Sequence, residues 1–216
     1  MPPRRRTCGL RRRMVLALAA TLLPAASLAH GGHDHRAPAA QPTRPPVPAP
    51  PAAVFPIPIG VDFALVDQSG TPRRLADFAG RHVLLFFGYA NCDSICSAAI
   101  PAMVDTLEAL GPARSGVDAV MITVDPARDT PEGLRRGLAR YGPGITGLTG
   151  DQAALARVWR GFHVSVSIIG QDPAGSPIIA HGSMVYLLGP DGAVLTLMPP
   201  VLDPARMAQI VRGHLK

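Results

Sequence analysis

The stretch LLFFGYANCDSICSAAIP, residues 84–101, organises the interpretation of the whole sequence. The apolar residues 83–87 have the length and composition of a fully buried strand, which ends at Gly88. Cys92 and Cys96 follow, and a helical pattern begins after them. A buried strand, a cysteine-containing loop and a helix are the layout of a thiol redox site or of a site for a soft metal at the end of a sheet.

The remainder of the chain alternates short apolar segments with amphipathic ones. Strands are predicted at 61–65, 82–87, 117–124, 145–148, 164–169, 181–188 and 193–198, and helices after Cys96, from 130 to 141, around 155–162 and from 204 onward. The turn sequence Gly189-Pro190-Asp191-Gly192 joins the last two strands into a hairpin. This order predicts an α/β domain with a mixed central β-sheet flanked by helices, closed by a C-terminal β-hairpin and helix.

The positive charge of the chain is confined to its N-terminus. The formal net charge is +6, and six arginines within the first 13 residues account for all of it. A basic nucleic-acid-binding surface is therefore not expected. The apolar run 14–26, followed by Ser27-Leu28-Ala29, predicts that residues 1–29 are a signal peptide, or an N-terminal membrane anchor if they are not cleaved. Cys8 precedes this run and is not part of the mature site.

Residues 30–58 are predicted to be a linker, which leaves 59–216 as the folded domain. His30, His33 and His35 at its start could capture Cu(II), Ni(II) or Zn(II) weakly as an accessory site, or could simply be solvated. Nine prolines follow between residues 36 and 58. Proline-rich sequence of this kind stays extended and acts as a semi-rigid spacer.

The spacing of the two cysteines allows several chemistries. Residues four apart on a helix lie on the same face, so two thiolates could hold one soft ion between them and would need a third donor from elsewhere. The histidines of the predicted domain are His82, His163, His181 and His214. A copper site, a zinc site, a thiol–disulfide pair and an inert disulfide all remain open on this basis.

Four motifs narrow the choice. GYANCDSIC at 88–96, ITVDPARDTPE at 122–132, ITGLTG at 145–150 and AHGSMVYLLGPDGAVL at 180–195 together resemble the Sco (SenC) family of copper chaperones, which have a thioredoxin-like fold. The resemblance implies that Cys92 and Cys96 are a copper-ligating pair and that His181 is the distal ligand, with copper bound as Cu(I), Cu(II) or both.

The same resemblance implies two related functions. One is a metallochaperone that delivers copper to the dinuclear copper site of cytochrome c oxidase, or to another exported copper protein. The other is a thiol–disulfide oxidoreductase that uses Cys92 and Cys96 as catalytic residues and is itself reduced by a thioredoxin-like partner. Either would act outside the cytoplasm, in the bacterial periplasm, with an uncleaved leader as the attachment to the inner membrane. An inert Cys92–Cys96 disulfide is the structural alternative.

Several positions depart from the family pattern or have two interpretations. Asp93 places a carboxylate between the thiols, which favours a bound cation over bare thiolates. Ala180 stands where the family often has an acidic residue, so the sequence does not identify what orients the His181 ring. Asp125 is predicted to lie near the cysteine loop, where it could orient a ligand or help to dock a partner. The alternative for Asp125 is a simple capped loop. Tyr89 is predicted to be a packing residue.

Overall fold

The computed structural model describes residues 59–90 and 96–215, and the sheet in it is built around one buried strand. Strand β3, His82–Gly88, is buried along its whole length, as its continuous apolar sequence predicts. It pairs in parallel with β4, Val117–Thr123, and antiparallel with β8, Val185–Leu188. The central sheet is therefore mixed, which confirms the predicted fold class.

The other elements follow in the predicted alternation. The remaining strands are β1 Ala64–Asp67, β2 Pro72–Arg74, β5 Thr146–Thr149, β6 Ser167–Gln171, β7 Pro177–Ala180 and β9 Val194–Met198, and the α-helices are α1 Cys96–Ala109, α2 Pro131–Leu138, α3 Gln152–Gly161 and α4 Pro204–His214. Within the described ranges, seven strands form one sheet in the order β2-β1-β5-β4-β3-β8-β9. Strands β6 and β7 form a separate two-stranded sheet, which we call the β6–β7 hairpin.

The helices bury apolar side chains in the core. In α1 the buried side chains include Ala99, Ile100 and Met103, which join the core. Helix α2 begins at a cap, because the Thr130 hydroxyl accepts the backbone N–H of Gly133 at 3.1 Å. Asp203 caps α4 in the same way.

A hairpin at the far edge of the sheet contains a buried carboxylate. One oxygen of Asp67 accepts the backbone N–H groups of Ser69 at 2.8 Å and Thr71 at 3.0 Å, and the other accepts Nε of Arg73 at 2.9 Å. Burial favours the protonated acid, but these donors, together with the Ser69 hydroxyl at 2.5 Å, outweigh it and lower the pKa of Asp67 to about 2. The hairpin is thus fixed by a network around one ionised side chain.

Three predicted strands differ from those observed. The first begins at Ala64, not at residue 61, and Val61 is exposed. The strand predicted at 164–169 is β6, which begins at Ser167; Val164 is buried by core packing without strand pairing. The strand predicted at 181–188 is only β8, which begins at Val185. Periodicity alone did not reveal these shifts because a buried apolar residue need not be paired in a sheet.

Strand β7 was not predicted, because its residues fall between the predicted strands at 164–169 and 181–188. Its four residues pair with β6 across a turn at 172–176, with an irregularity in register between Ile168 and Gly170. His181 follows β7 directly and therefore lies in the connection between β7 and β8, not inside a strand as predicted.

Candidate functional site

Three segments meet at one end of the sheet. Strands β3 and β4 run in parallel and end together, with Gly88 opposite Thr123. Strand β8 runs antiparallel to β3, with Val83 opposite Leu188, so the start of β8 lies toward the carboxyl end of β3. The residues directly after β3, the loop after β4 and the segment before β8 therefore approach one another. The carboxyl ends of parallel strands are the usual place for a binding site in such sheets.

The cysteines themselves are only partly within the described residues. Cys92 lies outside them, together with Asp93 and the accessory candidates His30, His33 and His35. Cys96 is the first residue of α1. The ligand set of two cysteines and one histidine therefore remains a prediction, and the described residues report on its third member.

His181 is held between two aromatic rings. Its imidazole makes edge contacts with Phe86, at a centroid distance of 5.9 Å, and with Tyr89, at 6.0 Å. Both rings belong to the chain segment that leads into the cysteine loop, since Phe86 is in β3 and Tyr89 follows it. The structure thus brings His181 to the base of the cysteine loop, and it gives Tyr89 a place beside the site in addition to its predicted packing role.

Hydrogen bonding and burial determine the protonation of His181. Its Nδ1 lies 2.8 Å from the carbonyl oxygen of Gly182, and because a carbonyl can only accept, Nδ1 carries the proton. Burial lowers the pKa of His181, and this effect outweighs the hydrogen bond to Gly182, which acts to raise it. The ring is therefore neutral at pH 7 with its lone pair on Nε2, as a metal ligand requires. The carbonyl of Gly182 takes the orienting role that Ala180 cannot.

The loop after β4 contributes an ion pair to the same end of the sheet. Asp125 is buried, and its carboxylate accepts Nε of Arg128. The guanidinium carbon of Arg128 lies 5.3 Å from the centroid of the Tyr89 ring, in a cation–π arrangement. A second nitrogen of Arg128 donates to the carbonyl oxygen of Pro177 at 3.0 Å. Asp125 therefore contacts the site through Arg128, a residue that the sequence did not single out.

Asp129 anchors the start of the cysteine loop. One of its carboxylate oxygens accepts the N–H of Ala90 at 3.0 Å and the hydroxyl of Thr123 at 2.7 Å. Burial raises the pKa of Asp129, although both hydrogen bonds act to lower it. The cap of the following helix is Thr130, so Asp129 is not needed for that role. In the sequence, an aspartate directly before the capping threonine, and not needed for capping, was the indication that Asp129 has a second role.

The backbone at Thr123 is tied to a neighbouring helix. The indole Nε1 of Trp159 donates to the Thr123 carbonyl at 3.1 Å, and the Thr123 hydroxyl accepts the N–H of Asp125 at 2.9 Å. The end of β4 is thus fixed on both sides, so that the loop after it presents Asp125 and Asp129 in defined positions.

The other histidines of the described residues lie elsewhere. His82 opens β3 at the opposite end of the strand, and His214 is exposed at the end of α4. His163 is exposed and has a φ of 55°. Within residues 59–90 and 96–215, no three His, Cys, Asp or Glu side chains are grouped closely enough to hold a metal ion.

Comparison with known sequences identifies the family. The family model SCO1/SenC matches residues 52–216. A curated relative, Protein SCO2 homolog, mitochondrial, from Bos taurus, is 34% identical over 156 residues, covering 71% of this chain and 59% of that protein. The SCO2-like protein RC0895 of Rickettsia conorii is 31% identical over 157 residues and is covered to 77% of its length. The chain spans less than two thirds of the vertebrate SCO2 relatives that it matches.

Solved structures share the fold. Copper-bound ScoI of Bradyrhizobium japonicum is 29% identical with a TM-score of 0.67, covering 72% of this chain and 99% of that one. BsSco, in which a disulfide switch was identified and which is described as a member of the Sco family of cytochrome c oxidase assembly proteins, is 26% identical with a TM-score of 0.60, covering 75% and 96%. The fold is the predicted thioredoxin-like one, and the chain belongs to the SCO1/SenC family.

Proposed function

We propose that this chain is a copper metallochaperone. Cys92 and Cys96 would bind one copper ion together with His181, and the ion would pass to the copper-acceptor subunit of cytochrome c oxidase or to another exported copper protein. The copper-bound structure of Bradyrhizobium japonicum ScoI and the oxidase-assembly role given for the family of BsSco support this proposal.

One observation carries the proposal further than family membership does. His181 is half-buried between Phe86 and Tyr89, is neutral at pH 7 and donates its Nδ1 proton to the Gly182 carbonyl. An imidazole held in this tautomer beside the base of a cysteine loop is prepared to bind a soft metal through Nε2, without first losing a proton.

The first residue of α1 suits the thiolate role. The N-terminus of a helix carries a partial positive charge, which stabilises an anion and lowers the pKa of a thiol placed there. Cys96 occupies that position in a 14-residue helix. Copper binding would release the thiol protons, and transfer would then proceed by stepwise exchange of thiolate and imidazole for the ligands of the acceptor.

The test is a copper titration of the reduced protein with the optical spectrum recorded. We expect one tight equivalent and a thiolate-to-Cu(II) charge-transfer band. His181→Ala should weaken binding by more than about tenfold, because loss of even an outer-shell partner of a metal ligand costs about 10–100-fold. His214→Ala is the matched control, since that histidine is exposed and is the last residue of α4.

Two outcomes would contradict the proposal. Unchanged affinity in His181→Ala would reject the three-ligand site, and an unchanged band in Cys92→Ser or Cys96→Ser would reject the thiolate ligands. The measurement should be repeated with His30, His33 and His35 replaced by alanine, so that weak capture by these accessory candidates is separated from the tight equivalent.

A second function is favoured by the disulfide switch identified in BsSco. Reduced Cys92 and Cys96 would transfer two electrons to a disulfide of an exported copper protein: one thiolate attacks, the other resolves the mixed disulfide, and the pair ends oxidised while the target gains two thiols. A thioredoxin-like thiol donor would then reduce the pair again. This reaction does not use the imidazole, so His181→Ala should retain the reductase activity while losing copper.

We place the protein outside the cytoplasm, in the bacterial periplasm, with residues 1–29 acting as the export signal or as the attachment to the inner membrane. Residues 1–29 lie outside the described part of the chain, and no helix in the described part is long and apolar enough to cross a bilayer. Fractionation of cells that produce the full chain, followed by N-terminal sequencing, tests the placement and the cleavage together.

A further inference from the structure

The histidine and the cysteines of the proposed site belong to parts of the fold that are joined differently to the body of the protein. The cysteine loop continues from β3, in the middle of the seven-stranded sheet. His181 follows β7, which in the described residues is paired with β6 in a sheet of its own. A two-stranded hairpin is marginally stable by itself in water. Something must therefore hold the β6–β7 hairpin at a fixed distance from the cysteine loop.

The β6–β7 hairpin has few buried residues with which to do this. All five residues of β6 are exposed, including Ile168 at 71% and Ile169 at 67%. In β7 only Ile179 is buried. Packing against the core is therefore concentrated near the His181 end of the hairpin and does not fix the other end of β7, at Pro177.

Arg128 makes the missing connection at Pro177. Its guanidinium donates to the Pro177 carbonyl at 3.0 Å, pairs with the buried carboxylate of Asp125, and stacks over the ring of Tyr89 at 5.3 Å. These three partners belong to β7, to the loop after β4 and to the start of the cysteine loop. A planar guanidinium can satisfy all three at once, because its donors lie in its plane and its faces can stack on an aromatic ring.

The same ring that Arg128 covers also touches the imidazole. The Tyr89 ring lies 6.0 Å from the ring of His181, in an edge contact. Arg128 therefore acts on His181 by two routes: through the main chain of β7, which ends one residue before the histidine, and through the Tyr89 ring. Neither route requires Arg128 to contact copper.

We propose that Arg128 is a positioning residue that holds the β6–β7 hairpin against the start of the cysteine loop and so sets the position of His181 relative to the two cysteines. The part of this proposal that concerns His181 as a copper ligand rests on the proposed copper-binding function. The mechanical part, that Arg128 restrains the hairpin, can be measured without metal.

The variants are Arg128→Gln and Arg128→Lys, with Arg135→Gln as the matched control. Arg135 is an exposed arginine of α2 that pairs with Glu132, so its replacement changes the net charge equally without touching the site. In the metal-free protein, we expect amide hydrogen exchange in residues 167–180 to accelerate at least about tenfold in Arg128→Gln and to be unchanged in Arg135→Gln. Arg128→Lys should behave like the glutamine variant, because an ammonium group cannot stack and donate in two directions as a guanidinium does.

The copper measurement is a double-mutant cycle with His181→Ala. Arg128→Gln should weaken copper binding about tenfold in the wild-type background, in the range found for groups that orient metal ligands, and less than about twofold when His181 is already alanine. Equal losses in both backgrounds, or hairpin exchange indistinguishable from that of Arg135→Gln, would overturn the proposal. A general folding defect would lower the melting temperature and accelerate exchange across β3 and β4 as well. A local effect would accelerate exchange in the β6–β7 hairpin alone.

Failure of the proposed function gives a different result. If the wild-type protein binds no copper, or if His181→Ala binds it equally well, the copper function is rejected, while the exchange measurement still decides whether Arg128 restrains the β6–β7 hairpin.

Discussion

Replacing Asp129 with alanine should destabilise the protein in a way that depends on pH. The side chain accepts the N–H of Ala90 and the hydroxyl of Thr123, and both donors would lose their partner. Each buried donor left without an acceptor costs about 1–3 kcal/mol. The loss of stability is partly offset, because the substitution also removes a carboxyl group whose burial is unfavourable. We therefore expect the free energy of unfolding to fall by about 2–4 kcal/mol near pH 4.

The pH dependence follows from the raised pKa of Asp129. Between the ordinary pKa of an aspartate, 3.8, and the higher pKa in the fold, the native protein binds more protons at this site than the unfolded chain does. The contribution of Asp129 to the stability of the wild-type protein therefore falls as the pH rises through that window. Asp129→Ala lacks this contribution, so the difference between wild type and variant should be largest near pH 4 and should narrow as the pH increases.

Asp67→Ala is the matched control, because Asp67 is also buried and hydrogen-bonded but has a pKa lowered from 3.8 to about 2. Its stabilising contribution is present above the unfolded pKa and is lost as the pH falls through about 2. At about 1.4 kcal/mol per pKa unit this contribution is at most about 2.5 kcal/mol, and salt reduces it since Arg73 is partly exposed. The deficit of Asp67→Ala should therefore shrink toward low pH, opposite to that of Asp129→Ala.

The assay is urea unfolding followed by circular dichroism at a series of pH values from about 3 to about 8. Opposite slopes for the two variants would support the assignment of both carboxylates. A loss below about 1 kcal/mol in Asp129→Ala, or a deficit that widens with rising pH, would show that Asp129 does not hold Ala90 and Thr123 as the structure indicates.

Two further pairs of substitutions test local features of the fold. In Gly137→Ala the added methyl group would lie 2.6 Å from Cβ of Ala90, so we expect a loss of stability. In Gly213→Ala, in α4, the added methyl group meets nothing within 4 Å, and the protein should become more stable by up to about 1 kcal/mol. Thermal melts of the two variants test the difference, and equal shifts in melting temperature would contradict it. His163→Val should lower the free energy of unfolding by about 1–2 kcal/mol, because the φ of 55° at this position is unfavourable for a β-branched residue, while His163→Asn should leave it nearly unchanged. Similar melting temperatures for the two variants would refute the argument.

The sequence predicts the parts of the fold that depend on local pattern. The continuous apolar run of β3 and the Gly189–Gly192 turn each have a local physical cause, and each occurs as predicted. Strand β2 was missed because three residues, Pro-Arg-Arg, carry no apolar alternation, and they pair only at the edge of the sheet. Strand β7 was missed for a related reason, since only one of its four residues is buried.

The candidate site could be predicted only in part. His181 was found from a family resemblance, and the structure adds its aromatic neighbours and the Gly182 carbonyl that fixes its tautomer. The roles of Arg128 and Asp129 depend on partners 49 and 39 residues away, at Pro177 and Ala90. No local pattern encodes such contacts, because they arise only when the ends of β3 and β4 are brought together.

The indole of Trp159 gives the protein a built-in optical reporter. Trp159 is the one tryptophan of the chain; it is buried, and its Nε1 is bonded to the carbonyl of Thr123, the residue whose hydroxyl contacts Asp129. Its fluorescence therefore comes from a single environment close to the end of β4. We expect Cu(II) to quench that emission and protein unfolding to shift it to the red, so that ion capture and loss of structure can be followed in one unlabelled sample at two wavelengths.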